Sequence, residues 1–87
     1  MIRVVFHPKF RKFAKKLPQP QADRLAVLIE TLQEDPFHSS LHTKKLGGEL
    51  AGLFSFRITR DWRVLFKFIE DQTIQLLRID HRKDVYR

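Results

Sequence analysis

The spacing of hydrophobic positions changes along the chain, and each spacing predicts an element. Ile2 to Phe6 is a short, β-branched apolar run closed by His7-Pro8. It predicts a strand running into a helix, because Pro at the first helical position lacks only an N–H that the helix leaves unused. Phe10, Phe13, Ala14 and Leu17 then recur at i, i+3, i+4 and i+7 and make one apolar stripe, with Lys9, Arg11, Lys12, Lys15 and Lys16 around the rest of the helix. Pro18 stops this helix and Pro20 opens the next, whose stripe is Ala22, Leu25, Leu28, Ile29 and Leu32. The second helix ends near Asp35-Pro36, where the residue before proline resists the α conformation. The short turn between the helices predicts a hairpin.

From Phe37 to Gly52 the periodicity is lost, and His38, Ser39, Ser40, His42, Gly47, Gly48 and Gly52 predict an exposed segment with turns. A period of two follows. Phe54, Phe56 and Ile58 alternate with Ser55 and Arg57; after a turn at Thr59-Arg60-Asp61, Trp62, Val64, Phe66 and Phe68 alternate with Arg63, Leu65 and Lys67. Asp71-Gln72 turns the chain into Ile74 to Ile79, a more continuously apolar strand, and residues 81–87 form a polar tail. The order β-α-α-β-β-β predicts an α+β fold: an N-terminal strand, a two-helix hairpin and a three-stranded antiparallel meander in one domain over residues 1–87. If the aromatic parity faces the helices, Arg57, Arg63 and Lys67 occupy the open face of the sheet. Leu53, Leu65 and Ile69 share that parity and are expected to be exposed there.

A chain of 87 residues has room for a single modest core, and 43% hydrophobic residues suffice to fill it without staples. The absence of Cys excludes disulfides and thiolate metal sites and suits a reducing cytoplasm. The N-terminus carries no long apolar signal region, and no apolar run approaches the roughly 18–20 residues that span a bilayer. A cytoplasmic protein with no membrane partner is expected. Charge sharpens the picture: 17 Lys and Arg against 10 Asp and Glu give a net +7, the footprint of a protein that meets a polyanion. Apart from Arg24, the cations lie within residues 1–17, which hold no acid, and 44–87, where they alternate with aromatics and aliphatics.

The residue types narrow the chemistry. His7, His38, His42 and His81 are scattered without metal-ligand spacing, and Gly47-Gly48 lacks the Lys-Ser/Thr sequel of a phosphate loop. No metal and no cofactor are expected. What remains is an array of cations with a few candidate proton carriers, which suits phosphodiester cleavage by an RNA 2′-hydroxyl, where the substrate supplies its own nucleophile. Arg57 and Arg63 suit the phosphate because a guanidinium offers paired donors. His81 is a candidate proton carrier, and Tyr86 either assists proton transfer or stacks on a base.

The segment Leu50-Ala51-Gly52-Leu53-Phe54-Ser55-Phe56-Arg57-Ile58-Thr59-Arg60-Asp61-Trp62-Arg63-Val64-Leu65-Phe66 resembles the RelE/ParE superfamily of type II toxin–antitoxin toxins, and His81-Arg82-Lys83-Asp84-Val85-Tyr86 is similar to that family's closing motif. The resemblance covers nearly the whole chain and implies a ribosome-dependent endoribonuclease, an mRNA interferase, acting on mRNA in the ribosomal A site and neutralised by a cognate antitoxin. The alternative it implies is a ParE-like inhibitor of DNA gyrase or an antitoxin-binding module without nuclease activity. Arg63 matches the arginine that contacts the scissile phosphate in RelE- and YoeB-like toxins, and Arg57 a basic position beside it. His81 or Arg82 falls at the catalytic position of the tail and Tyr86 at its terminal aromatic. Asp61-Trp62 is similar to a YafQ-like pair whose Asp is linked to catalysis. Lys44 stands near the position where YoeB-like enzymes carry a Glu base, a departure that leaves the general base unassigned. Lys44, Lys45, Arg60, Lys67 and Lys83 are the expected RNA-binding cations.

Overall fold

The structure, a computed structural model, describes residues 1–81. In chain order it forms β1 (Arg3–Phe6), α1 (Pro8–Ala14), α2 (Gln19–Glu34), β2 (Lys44–Lys45), β3 (Phe54–Arg57), β4 (Trp62–Glu70) and β5 (Thr73–His81). The α+β architecture and the antiparallel β3-β4-β5 meander agree with the expectation. The sheet has five strands, however, in the order β1-β5-β4-β3-β2. β1 lies parallel to β5, with Val4 opposite Ile74 and Phe6 opposite Leu76. A parallel neighbour requires a crossover, and the helical hairpin is the first stage of it.

His7 caps α1 by accepting the Lys9 N–H on Nδ1 at 3.0 Å, and Pro8 occupies the first turn. α1 is shorter than its stripe: it ends at Ala14, and the N–H groups of Lys16 and Leu17 bond to the carbonyls of Phe13 and Ala14 in a closing turn. Leu17 still packs against the core. Phe10 from α1 and Leu25, Leu28 and Leu32 from α2 bury against Phe56, Val64, Phe66, Ile74, Leu76 and Ile79 of the sheet. Each such side chain contributes about 1.5–3 kcal/mol on leaving water.

Two expectations need correction. The segment between α2 and β3 is not simply exposed: it contains β2 and two 3-10 turns, Ser39–Leu41 and Gly48–Leu50, and it buries Leu41 completely. Its start is fixed by Thr43, whose hydroxyl donates to the Pro36 carbonyl at 2.6 Å, and His42 adopts the left-handed conformation with φ 49°. The open face is not lined by freely exposed side chains either. Arg63 is only 4% exposed and Leu65 1%. Both lie on β4, the middle strand of the sheet, with a paired strand on either side. Of the apolar residues expected on this face, Ile69 is the one that stays exposed.

Candidate functional site

The register of β3, β4 and β5 arranges the polar face in rows. Arg57 pairs with Arg63, and Arg63 pairs on its other side with Asp80. In the next row Lys44 pairs with Ser55, Ser55 with Leu65, and Leu65 with Arg78. Residues paired across a ladder share a face, so Lys44, Ser55, Arg57, Arg63, Leu65, Arg78 and Asp80 form one lattice opposite the core. The Ile58 N–H donates to the Trp62 carbonyl at 2.9 Å. That bond makes Arg57 and Arg63 a non-hydrogen-bonded pair, the closer kind, with Cα atoms roughly 4.5 Å apart.

Arg78 reaches this lattice through an irregularity. Leu65 is opposite Arg78 but Phe66 is opposite Leu76, so Leu77 is an extra residue that shifts the parity of β5. Beyond it Ile79 returns to the core, and Arg78 and Asp80 join the arginine face, where Arg78 Nε donates to Asp80 Oδ2 at 2.8 Å. Sequence alone does not single out Arg78 and Asp80, because a strict alternation read through Leu76-Leu77 assigns both to the core side. Two polar atoms on this face, Ser55 Oγ and Arg57 Nε, are buried without a hydrogen-bond partner among the described residues. A buried unsatisfied donor costs about 1–3 kcal/mol, so the Arg57 donor is well placed to take an acceptor.

The remaining expected residues separate into groups. Lys44 is on the arginine face, whereas Lys45 pairs with Phe54 and takes the other parity. Lys67, opposite Gln75, is half-buried further along β4. Arg60 and Asp61 are exposed in the turn between β3 and β4. That turn is held from α2 by Arg24, whose Nε donates to the Ile58 carbonyl at 2.6 Å. His81 pairs with Trp62 and packs edge-on against its ring at 5.1 Å between centroids. Trp62 packs on the core, so His81 stands at the end of the same strands as the arginines but on the helix side of the sheet. Arg82, Lys83 and Tyr86 lie outside the described residues. Among the described residues no group of three or more His, Asp and Glu is placed to hold a metal, and no helix is long and apolar enough to cross a membrane.

Comparison with known proteins places this chain in a family. Residues 4–86 match the family model described as the ParE toxin of the type II toxin–antitoxin system parDE. Toxin RelG of Mycobacterium tuberculosis (strain ATCC 25618 / H37Rv) is 37% identical over 86 residues, covering 97% of this chain and 94% of that protein. Among solved structures, the toxin–antitoxin complex RelBE2 from Mycobacterium tuberculosis matches with a TM-score of 0.70 at 34% identity, covering 93% of this chain and 98% of the other. The archaeal RelE-RelB complex from Pyrococcus horikoshii OT3 matches with a TM-score of 0.77 at 26% identity, covering 93% and 94%. The chain belongs to the RelE/ParE superfamily and is a toxin of a type II toxin–antitoxin system.

Proposed function

We propose that this toxin is a ribosome-dependent mRNA endoribonuclease that cleaves by attack of an RNA 2′-hydroxyl on the adjacent phosphate. The observation that carries the reading is the Arg57–Arg63 pair. Like charges directly opposite on neighbouring strands are destabilising, and an RNA phosphate between them turns that cost into charge-assisted hydrogen bonds. Asp80 offsets part of the repulsion from the far side of Arg63, while Lys44 and Arg78 extend the positive face along the backbone of a bound strand.

In the reaction the 2′-oxygen loses its proton and bonds to phosphorus, the bond to the 5′-oxygen breaks, and that oxygen takes up a proton. The products are a 2′,3′-cyclic phosphate and a 5′-hydroxyl. Arg57 and Arg63 neutralise the charge that grows on the non-bridging oxygens, the task in which preorganised donors act most strongly. Proton transfer falls to groups at this end of the sheet, with Asp80 on the arginine face and His81 one residue further. Arg82 and Tyr86 keep the roles that the tail motif implies. No step requires a metal or an organic cofactor. Two of the similar structures are complexes with antitoxins, which supports a cognate antitoxin as the protein partner.

The match to a ParE family model favours a second reading, inhibition of DNA gyrase. Sequencing of transcript 5′ ends after brief induction separates the two. Cuts in phase with codons support the nuclease, and DNA double-strand breaks without such cuts support gyrase poisoning.

A further inference from the structure

On the helix side of the sheet, behind the arginine lattice, a cavity of about 340 Å³ opens between the end of α1 and the ends of β4 and β5. Phe13, Lys16 and Leu17 form one wall, and Trp62, Asp80 and His81 the other. Its volume lies in the range of small-molecule sites, and its apolar lining with a few convergent polar groups is their usual construction. The function proposed above gives Phe13, Lys16, Leu17 and Trp62 no task.

We infer that this cavity is a binding site for one nucleobase of a single-stranded RNA, stacked on Trp62. A flat aromatic wall accepts any base through its π face. The indole of Trp62 supplies that wall, with the His81 ring held edge-on against it. Two hydrogen-bonding groups for the edge of a base border the same space, an ammonium on Lys16 and an imidazole on His81. The approach is strongly cationic, since Lys9, Arg11, Lys12, Lys15 and Lys16 crowd α1 and its closing turn, and the first acidic residue of the chain is Asp23. That charge favours the base of a polyanion over an apolar peptide segment.

Chain connectivity joins the cavity to the arginine lattice. Trp62 precedes Arg63 on β4 and His81 follows Asp80 on β5, and these four residues pair as Trp62–His81 and Arg63–Asp80. Successive strand residues point to opposite faces. A single strand with one phosphate on Arg57 and Arg63 therefore passes round the end of the sheet and delivers a neighbouring base to the cavity. The choice of RNA as the occupant rests on the proposed nuclease reading.

Trp62 is the single tryptophan of the chain, so its fluorescence reports the cavity alone. The test titrates the full-length toxin with a short single-stranded oligoribonucleotide and with a matched one carrying abasic ribose in place of its bases. Binding is followed in parallel by the anisotropy of a label on the RNA. Saturable quenching that needs the bases, weakened roughly tenfold by Lys16→Glu on the exposed rim, supports the inference. Unchanged emission at RNA concentrations that saturate the anisotropy, equal quenching by the abasic strand, or quenching by a protein partner only would overturn it. The two readings fail separately: base-dependent quenching in a wild-type protein that cuts no mRNA keeps the cavity and removes the nuclease reading. Loss of quenching in a wild-type protein that still cleaves removes the cavity and leaves the nuclease reading intact.

Discussion

Arg57 and Arg63 stand directly opposite each other on adjacent antiparallel strands, at the closely approaching kind of cross-strand position. Neutral residues at either position would make a more stable sheet. Arg57 also keeps its Nε buried without a hydrogen-bond partner among the described residues. Its half-buried side chain therefore contributes little to the fold and much to anion binding. Arg57→Gln is expected to lower cleavage about 100-fold or more while changing stability by less than about 0.5 kcal/mol. Thermal melting beside a cleavage assay checks this, and an early-melting variant would make Arg57 a structural residue.

Arg63 behaves differently because it is only 4% exposed in the middle strand. Arg63→Ala is expected to lose both cleavage and about 1–3 kcal/mol of stability, seen as a melting temperature lowered by roughly 4–8 °C for each kcal/mol. Arg63→Lys keeps the charge without the paired donors, so it should recover more stability than activity. Full activity in the Lys variant would show that Arg63 acts as a simple point charge.

Arg24 links helix to turn. Its bond to the Ile58 carbonyl, 2.6 Å long, satisfies a backbone group of a residue with no exposed surface. Arg24→Ala is expected to cost about 1–3 kcal/mol and to speed amide exchange at Thr59 to Asp61, the turn that follows Arg57. Exchange that rises evenly over the whole chain would show that the bond does not hold this turn in particular.

The helices and the meander were legible because their information is local. Leu25, Leu28 and Leu32 mark one face of α2 by spacing alone, and all three are buried. The facing of Arg57 and Arg63 followed from the parity of Phe56, Val64 and Phe66, which form the buried side of their strands. Non-local features were not legible. The pairing of β1 with β5 joins residues some seventy positions apart, and β2, two residues long, carries no periodicity of its own. The extra residue Leu77 hid Arg78 and Asp80, since alternation read across it assigns both to the wrong side. The burial of Arg63 and Leu65 depends on neighbours brought in by the fold, and parity alone does not report that.

The antitoxin is expected to cover the arginine face with an acidic segment, given the net charge of +7 and the exposed Lys44 at its edge. The dissociation rate measured by surface binding should rise with ionic strength, because exposed charge pairs are screened over about 8 Å at physiological salt. A rate that is indifferent to salt places the antitoxin on another surface.

The most direct measurement is cleavage of a defined mRNA on purified ribosomes with an open A site, using wild-type toxin and Arg57→Gln under single-turnover conditions. A cut within the A-site codon that leaves a 2′,3′-cyclic phosphate and a 5′-hydroxyl is expected, slowed about 100-fold or more in the variant. Intact mRNA beneath folded, ribosome-bound wild-type toxin, or equal cutting by the variant, would contradict it.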